Sequence, residues 1–276
     1  MKICNYITPL EPPIPVFHKN KPLTTMAVTE HNGRIALVTG GGSGIGLAIT
    51  EKFVQAQITT IIIGRDRQKL DAAAKRLGNL CYPLSHDLDD LPSIPGLVQQ
   101  IVSRFGHIDI LVNNAGINMK KDFSDVTDEE FDRILHTNVR AVFALSREVV
   151  KIMLPAGKGN IINISSMASQ YGIPKVIAYT ASKAAIEGMT RAMAVELSPQ
   201  GILVNCIAPG FIATDMSAKA LNGDPERKSK VFARTPLGRL GDPADVGDAA
   251  LFLSSDQAKF LTGVVLPVDG GNSIGF

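Results

Sequence analysis

The chain has 276 residues, 45% of them hydrophobic and 20% charged, with a formal net charge of +2. This composition supports a large core and excludes global disorder, and so small a charge gives no basis for binding nucleic acid or an anionic membrane. Cys4, Cys81 and Cys206 are far apart and odd in number, which suits neither a metal site nor a disulfide framework; a reducing, cytoplasmic compartment is expected.

Residues 1–33 are punctuated by Pro9, Pro12, Pro13, Pro15 and Pro22 and show no periodicity, so an extended or disordered arm is expected there. Pro9 and Glu11 interrupt the only stretch that could form a signal-peptide core. No apolar run approaches the ~18 residues of a membrane helix. From Arg34 onward short β-branched runs alternate with longer helical stretches. Strands are expected at 35–39, 59–63, 80–84, 108–112, 160–164, 203–207 and 264–268. Helices are expected at 45–55, at 66–77 with Asp66 near the start, in a proline-containing stretch up to 104, and at 127–153, 178–197 and 244–253. Thr127 and Glu130 stand in capping-box spacing. Such alternation implies βαβ units with right-handed crossovers. The fold class expected is α/β: a Rossmann-type doubly wound parallel sheet of about seven strands in a single domain over 34–276. Strands such as Thr60-Ile61-Ile62-Ile63 lack polar alternation, as befits a sheet covered on both faces.

Between the first strand and the first helix lies Thr39-Gly40-Gly41-Gly42-Ser43-Gly44-Ile45-Gly46. Glycines there let the backbone approach a pyrophosphate and let the helix pack close to the sheet, and the helix N-terminus offers free N–H groups and a positive dipole end. The spacing is not GxGxxG, and a plain tight turn is the alternative reading. At the end of the second strand a carboxylate would suit the ribose 2′-hydroxyl of NAD, and a cation the 2′-phosphate of NADP. Gly64-Arg65-Asp66 stands there; Arg65 can fork onto a phosphate, and Asp66 is read as a helix N-cap. NADP(H) is therefore expected ahead of NAD(H).

Tyr179 and Lys183 are four apart on a predicted helix and so emerge from one face. A free phenol titrates near ~10, and an ammonium ~4 Å away at an effective dielectric of ~20 is worth roughly 4 kcal/mol, enough to bring Tyr179 near neutrality for acid–base work. Ser166 falls just past the fifth strand, at the carboxyl edge where such sheets bind ligands, and its hydroxyl could polarise a carbonyl. Taken singly, a surface Tyr–Lys pair and an ordinary loop serine are the bland alternatives.

The ordered set of these motifs resembles the short-chain dehydrogenase/reductase family over residues 34 to about 272. It comprises the Gly40–Gly46 loop, Asp87, Asn113-Asn114-Ala115-Gly116, Asn138, Ser166, Tyr179 and Lys183, Pro209-Gly210 with Thr214, and Asp269-Gly270-Gly271. The resemblance implies an enzyme that interconverts a ketone and a secondary alcohol by hydride transfer. In it Tyr179 exchanges the proton, Lys183 binds the nicotinamide ribose and acidifies Tyr179, Ser166 orients substrate, and Asn138 holds a relay water. It implies cofactor contacts from Gly40, Gly42, Ser43, Gly44, Ile45, Gly46 and Arg65, and from Asp87 and Leu88 at the adenine. Asn114 is implied near the adenine-side ribose and Thr214 near the carboxamide, with further cofactor contacts from Ala115, Gly116, Pro209, Gly210 and Ile212. It also implies a homotetramer, with the Tyr179 helix in one interface, and a substrate lid near 213–235. Gln57 stands where the family often has glycine before the second strand, a departure expected to be harmless.

Two substrates compete. Gly64-Arg65-Asp66 and Arg234-Thr235-Pro236-Leu237-Gly238-Arg239 resemble gluconate 5-dehydrogenases, so a sugar acid or other small polar ketone is favoured. A 3-oxoacyl-carrier-protein reductase is the alternative, weakened because Gly157 and Gln200 stand where basic docking residues are common and only Lys158 partly compensates. From another class, a non-catalytic NADP-binding sensor or scaffold stays open, although such relatives usually lose one of Asn138, Ser166, Tyr179 or Lys183. Lys120 and Lys121 are read as a solvated loop pair with a possible pull on an anionic substrate. His31, His86, His107 and His136 have no metal spacing and are read as structural.

Overall fold

A computed structural model describes residues 33–215, 217–218 and 225–275. The arm expected over 1–33 lies outside the described residues except for Gly33, and so do residues 216 and 219–224 of the expected lid.

Seven strands form one sheet: β1 (Ile35–Thr39), β2 (Thr59–Gly64), β3 (Cys81–Ser85), β4 (Ile110–Asn113), β5 (Gly159–Ile164), β6 (Ile202–Pro209) and β7 (Val265–Val268). Their order is β3-β2-β1-β4-β5-β6-β7 and every neighbouring pair is parallel. The helices are α1 (Gly44–Gln55), α2 (Arg67–Leu77), α3 (Ile94–Phe105), α4 (Asp128–Leu135), α5 (Ala141–Ala156), α6 (Ile177–Leu197), α7 (Pro225–Arg234) and α8 (Pro243–Leu253). This is the doubly wound parallel sheet that the alternating pattern predicts.

Period-two alternation shares each strand between two cores. On one face Ile35 and Leu37 of β1 join Ile61 and Ile63 of β2, Leu111, Ile161, and Ile94, Leu97 and Ile101 of α3. On the other, Ala36, Val38, Ile62 and Ile110 meet Ile49 and Phe53 of α1 and Val246, Ala250 and Leu253 of α8. Every residue of β1 is buried, which explains the absence of polar alternation in its sequence. Each fully buried Ile or Leu contributes roughly 1.5–3 kcal/mol.

Strand order reverses between β1 and β4. At such a switch point a ligand crevice is expected outside the carboxyl ends of the strands, and the cleft described below lies there. The helix expected over 127–153 is broken into α4, a π-helical segment over His136–Arg140, and α5. Its start is as predicted: Thr127 and Glu130 make a reciprocal capping box. Among the described residues no helix is long and apolar enough to cross a membrane.

Candidate active site

Where β1 ends at Thr39 the chain turns through Gly40 (φ +68°) and Gly44 (φ +53°), a region that side chains disfavour. A Cβ on Gly40 would lie 2.8 Å from Asn114 Nδ2 and 3.2 Å from Ala115 Cα, so the bare glycine lets the loops after β1 and β4 close on each other. Thr39 ties them together. Its hydroxyl oxygen accepts the N–H groups of Asn114 and Ala115 at 2.9 and 3.0 Å, and Asn114 Nδ2 donates to the Thr39 carbonyl at 2.9 Å. The Asn114 amide, assigned to the ribose region by the resemblance, is thus spent on holding this loop pair.

Ser43 is the N-cap of α1 and makes no side-chain cap bond. The first-turn N–H groups of α1 therefore stay uncapped beside a cleft of about 510 Å³ that Gly42, Ser43, Gly44 and Ile45 line, an arrangement suited to a phosphate. Gly46 fills the packing role expected of a glycine at the start of this helix rather than a contact role. It does not line the cleft, and a Cβ there would come within 3.0 Å of the Gly40 carbonyl and the Asn114 amide. Its smallness lets α1 pack against the loop, so it shapes the cradle without reaching into it.

At one end of the cleft stand Arg65, Asp87 and Leu88, with Asn114, Ala115 and Gly116 along the floor. The Arg65 side chain is 61% exposed and its guanidinium is 4.0 Å from Asp89, so it is available to a ligand. Asp66 is the N-cap of α2, its carboxylate accepting the Lys69 N–H at 3.1 Å, as the cap reading holds. His86, read as structural, lines the cleft and its Nε2 sits 2.9 Å from the Ser93 hydroxyl. Among the described residues no group of His, Cys, Asp and Glu is arranged to hold a metal ion.

At the other end Tyr179 and Lys183, one turn apart on α6, open onto the cleft with Ser166 from the loop after β5. Pro209, Gly210, Ile212 and Thr214, from the loop after β6, line the same space. Lys183 is buried. Its Nζ donates to the Ile164 carbonyl at 2.8 Å and lies 5.6 Å from the centre of the Tyr179 ring. Burial drives Lys183 down to about 8. It pushes the Tyr179 phenol upward, against the opposing effect of a hydrogen bond with Ser166. The expectation of an acidified phenol is corrected in direction: desolvation of Tyr179 is the largest influence and raises it, and the described bond of Lys183 Nζ goes to a backbone carbonyl.

Asn138 lies in the π-helical segment and is 1% exposed; it does not line the cleft. Its Oδ1 accepts the Ile117 N–H at 2.8 Å, and its Nδ2 donates to the Ile117 carbonyl and the Ser182 hydroxyl at 2.9 and 3.0 Å. It adjoins Lys183 across Gly116, where a Cβ would be 3.1 Å from Asn138 Oδ1 and 3.6 Å from Lys183 Nζ. Lys121 pairs with Glu130 at 2.7 Å, and neither it nor Lys120 lines the cleft.

Two features escaped the sequence reading. Ile117, Ala168, Ile173, Val176 and Phe211 give the Tyr179 end an apolar wall; these residues come from the three loops after β4, β5 and β6, so no motif joins them. Beneath that end, Glu187 is buried and accepts hydrogen bonds from Ser165 and Ser169. Glu187 is one turn beyond Lys183, and that i+4 spacing was the available signal.

A family model described as Enoyl-(Acyl carrier protein) reductase matches residues 40–273. The chain is 41% identical over 244 residues to a 3alpha-hydroxysteroid dehydrogenase of Mediterraneibacter gnavus, covering 86% of this chain and 96% of that one. Other relatives are named as 3-oxoacyl-[acyl-carrier-protein] reductases and a 2-dehydro-3-deoxy-D-gluconate 5-dehydrogenase. Among solved structures, actinorhodin polyketide ketoreductase with NADPH superposes with a TM-score of 0.84 at 31% identity, over 88% of this chain and 98% of that one. A 3-ketoacyl-(acyl-carrier-protein) reductase from Brucella melitensis complexed with NADH gives 0.82 at 34% identity, over 88% and 99%. The chain belongs to the short-chain dehydrogenase/reductase family, and it is an oxidoreductase of alcohol and ketone groups that uses a nicotinamide dinucleotide.

Proposed function

We propose that the protein is an NADP(H)-dependent enzyme that interconverts a secondary alcohol and an uncharged ketone with apolar flanks. The observation that carries this reading is that Tyr179, Lys183 and Ser166 open onto the same cleft as the uncapped N-terminus of α1.

The residues present fit a dinucleotide. The first turn of α1 would offer N–H groups to a pyrophosphate, Asp87 and Leu88 would hold the adenine, and Arg65 would supply the cation that a 2′-phosphate requires where Gly64 leaves room. Pro209, Gly210, Ile212 and Thr214 serve the carboxamide end. Once bound, the nicotinamide donates or accepts the hydride. Tyr179 gives its hydroxyl proton to the carbonyl oxygen in reduction and takes it back in oxidation; a phenol held protonated by burial suits the reductive direction. Ser166 donates a hydrogen bond to the same oxygen. Lys183 contributes charge and a donor to the ribose, and Asn138 holds the backbone of Ile117 beside it.

The wall supports an uncharged ketone over a sugar acid. A carboxylate placed among Ile117, Ala168, Ile173, Val176 and Phe211 would lack a partner at a cost of several kcal/mol. Described cations near that wall have other tasks: Lys183 bonds the Ile164 carbonyl at 2.8 Å and is assigned to the ribose, Lys175 pairs with Asp122 at 2.9 Å, and Arg234 meets the Tyr171 ring and the Asn272 carbonyl. Docking of a carrier protein gains little, since Lys158 leans towards Asp109 at 3.5 Å.

The test is NADPH- and NADH-dependent reduction across ketones with apolar flanks and hydroxylated keto acids. Tyr179→Phe should slow reduction on the order of 10²–10⁴-fold, and equal rates would remove Tyr179 from the mechanism. Arg65→Ala should weaken NADPH far more than NADH; an unchanged preference refutes the cofactor choice, and preferred turnover of keto acids refutes the substrate choice.

A further inference from the structure

Resting on the ketone/alcohol reading, we infer that Glu187 is a positioning residue which clamps the Ser166 loop onto the helix that carries Tyr179 and Lys183. Ser166 must present its hydroxyl to the oxygen that Tyr179 protonates, yet the two groups come from different elements, the loop after β5 and helix α6. Their relative placement needs a connection of its own.

Three contacts supply it. Lys183 Nζ donates to the carbonyl of Ile164, just before the loop. Four residues on, the Glu187 Oε1 accepts the Ser165 hydroxyl at 2.7 Å and also the Ser169 hydroxyl. The Ser169 hydroxyl in turn lies against the Ser166 main-chain carbonyl. Glu187 thus grips the residues on both sides of Ser166 while leaving the Ser166 hydroxyl on the cleft. It is 8% exposed, and Ser165 is 2% exposed. A carboxylate in such a place is costly unless its hydrogen bonds are satisfied, and here its donors are two hydroxyls of one short loop. A charged acceptor forms stronger hydrogen bonds than a neutral one, and a buried, water-excluded network holds its geometry more tightly than an exposed one. The face of α6 that points inward therefore has a sequence of tasks: Tyr179 at the oxygen, Lys183 at the ribose, Glu187 on the loop that completes the site.

The test uses the full chain and the ketone it turns over best. Glu187→Leu removes both acceptors at similar volume, whereas Glu187→Gln keeps an accepting carbonyl oxygen. Glu187→Leu should lower kcat on the order of 10- to 100-fold, since small misplacements near the reacting atoms carry such costs. KM for ketone and for NADPH should stay within about threefold, the signature of an interaction that matters in the transition state. Glu187→Gln should recover most of kcat. Replacing Ser165 and Ser169 together with alanine removes the same bonds from the other side, so adding Glu187→Leu to that pair should cost little more. If Glu187→Leu fails to fold, the serine pair and Glu187→Gln carry the same comparison of kcat with KM. The inference is overturned by a kcat within about twofold of the parent for Glu187→Leu or the serine pair, by additive losses, by kcat and KM worsening together, or by failure of glutamine to rescue. A parent that turns over no ketone or alcohol overturns the ketone reading and this inference with it; a parent that does, beside an equally active Glu187→Leu, overturns this inference alone.

Discussion

Lys183 shows how burial and bonding share control of one side chain. Its ammonium is withdrawn from solvent and keeps a single described hydrogen bond, to the Ile164 carbonyl, so the neutral form gains ground and its pKa falls to about 8. Below that pH the lysine is charged and can serve the ribose; above it the charge is lost. Tyr179 is shifted the other way and stays protonated over the same range. The value of kcat/KM for NADPH reports the free enzyme. It should hold up to about pH 8 and fall as pH rises through that value, and a profile flat to about pH 9.5 would remove the lysine charge from cofactor capture. Arg65 poses a simpler case, because its side chain reaches solvent at the cleft and its only described ion pair, with Asp89, is long at 4.0 Å.

At the scale of an element, α1 is governed by the residues at its two ends. Near its start, Gly46 accepts no Cβ without collision with the backbone of Gly40. After its end, Gln57 is at φ +61°. There the Gln57 N–H bonds the Val54 carbonyl at 3.0 Å and the Ile58 N–H bonds the Phe53 carbonyl at 2.9 Å, the paired bonds of a Schellman closure. That conformation costs a residue with a Cβ roughly 1–2 kcal/mol, so the departure from glycine noted in the sequence has a structural price. Opposite outcomes are expected at the two ends. Gly46→Ala should destabilise by about 1–3 kcal/mol through overpacking, while Gln57→Gly should stabilise by up to about 1 kcal/mol. Chemical denaturation measures both, and a loss of stability in Gln57→Gly would contradict the strain assigned to it.

For the molecule as a whole, the exposed faces of α5 and α6 bear Phe143, 51% exposed with Arg147 stacked over its ring, and Ile177 and Val195, the latter 80% exposed. Apolar groups on adjacent helices suit an interface between like subunits. The family resemblance implies a homotetramer with the Tyr179 helix in one interface, and we propose that these residues belong to it. Sedimentation should give about four times the 29.4 kDa of the chain, and Val195→Glu with Phe143→Glu should lower that mass. A monomer at every concentration would dismiss the expectation.

The linear sequence sufficed for the alternation of strands and helices, because buried parallel strands demand uninterrupted Ile and Val while helices demand their own period. It also pointed, through an ordered set of motifs of which each alone has a bland alternative, to Tyr179, Lys183, Ser166 and the glycine loop, which line one cleft, and it sufficed for the caps at Asp66 and Thr127, which involve only neighbours. Tertiary structure alone decided what distant groups do to one another. It set Gly46 against the Gly40 carbonyl, spent the Asn114 amide on Thr39, turned the proton of Lys183 towards Ile164, put a π-helical segment into 127–153, and gathered the apolar wall from three loops. It also joined Glu187 to Ser165 and Ser169. The reason is that hydrogen-bond partners, desolvation and shape depend on which surfaces meet, and a spacing rule reaches no further than the next turn of its own helix.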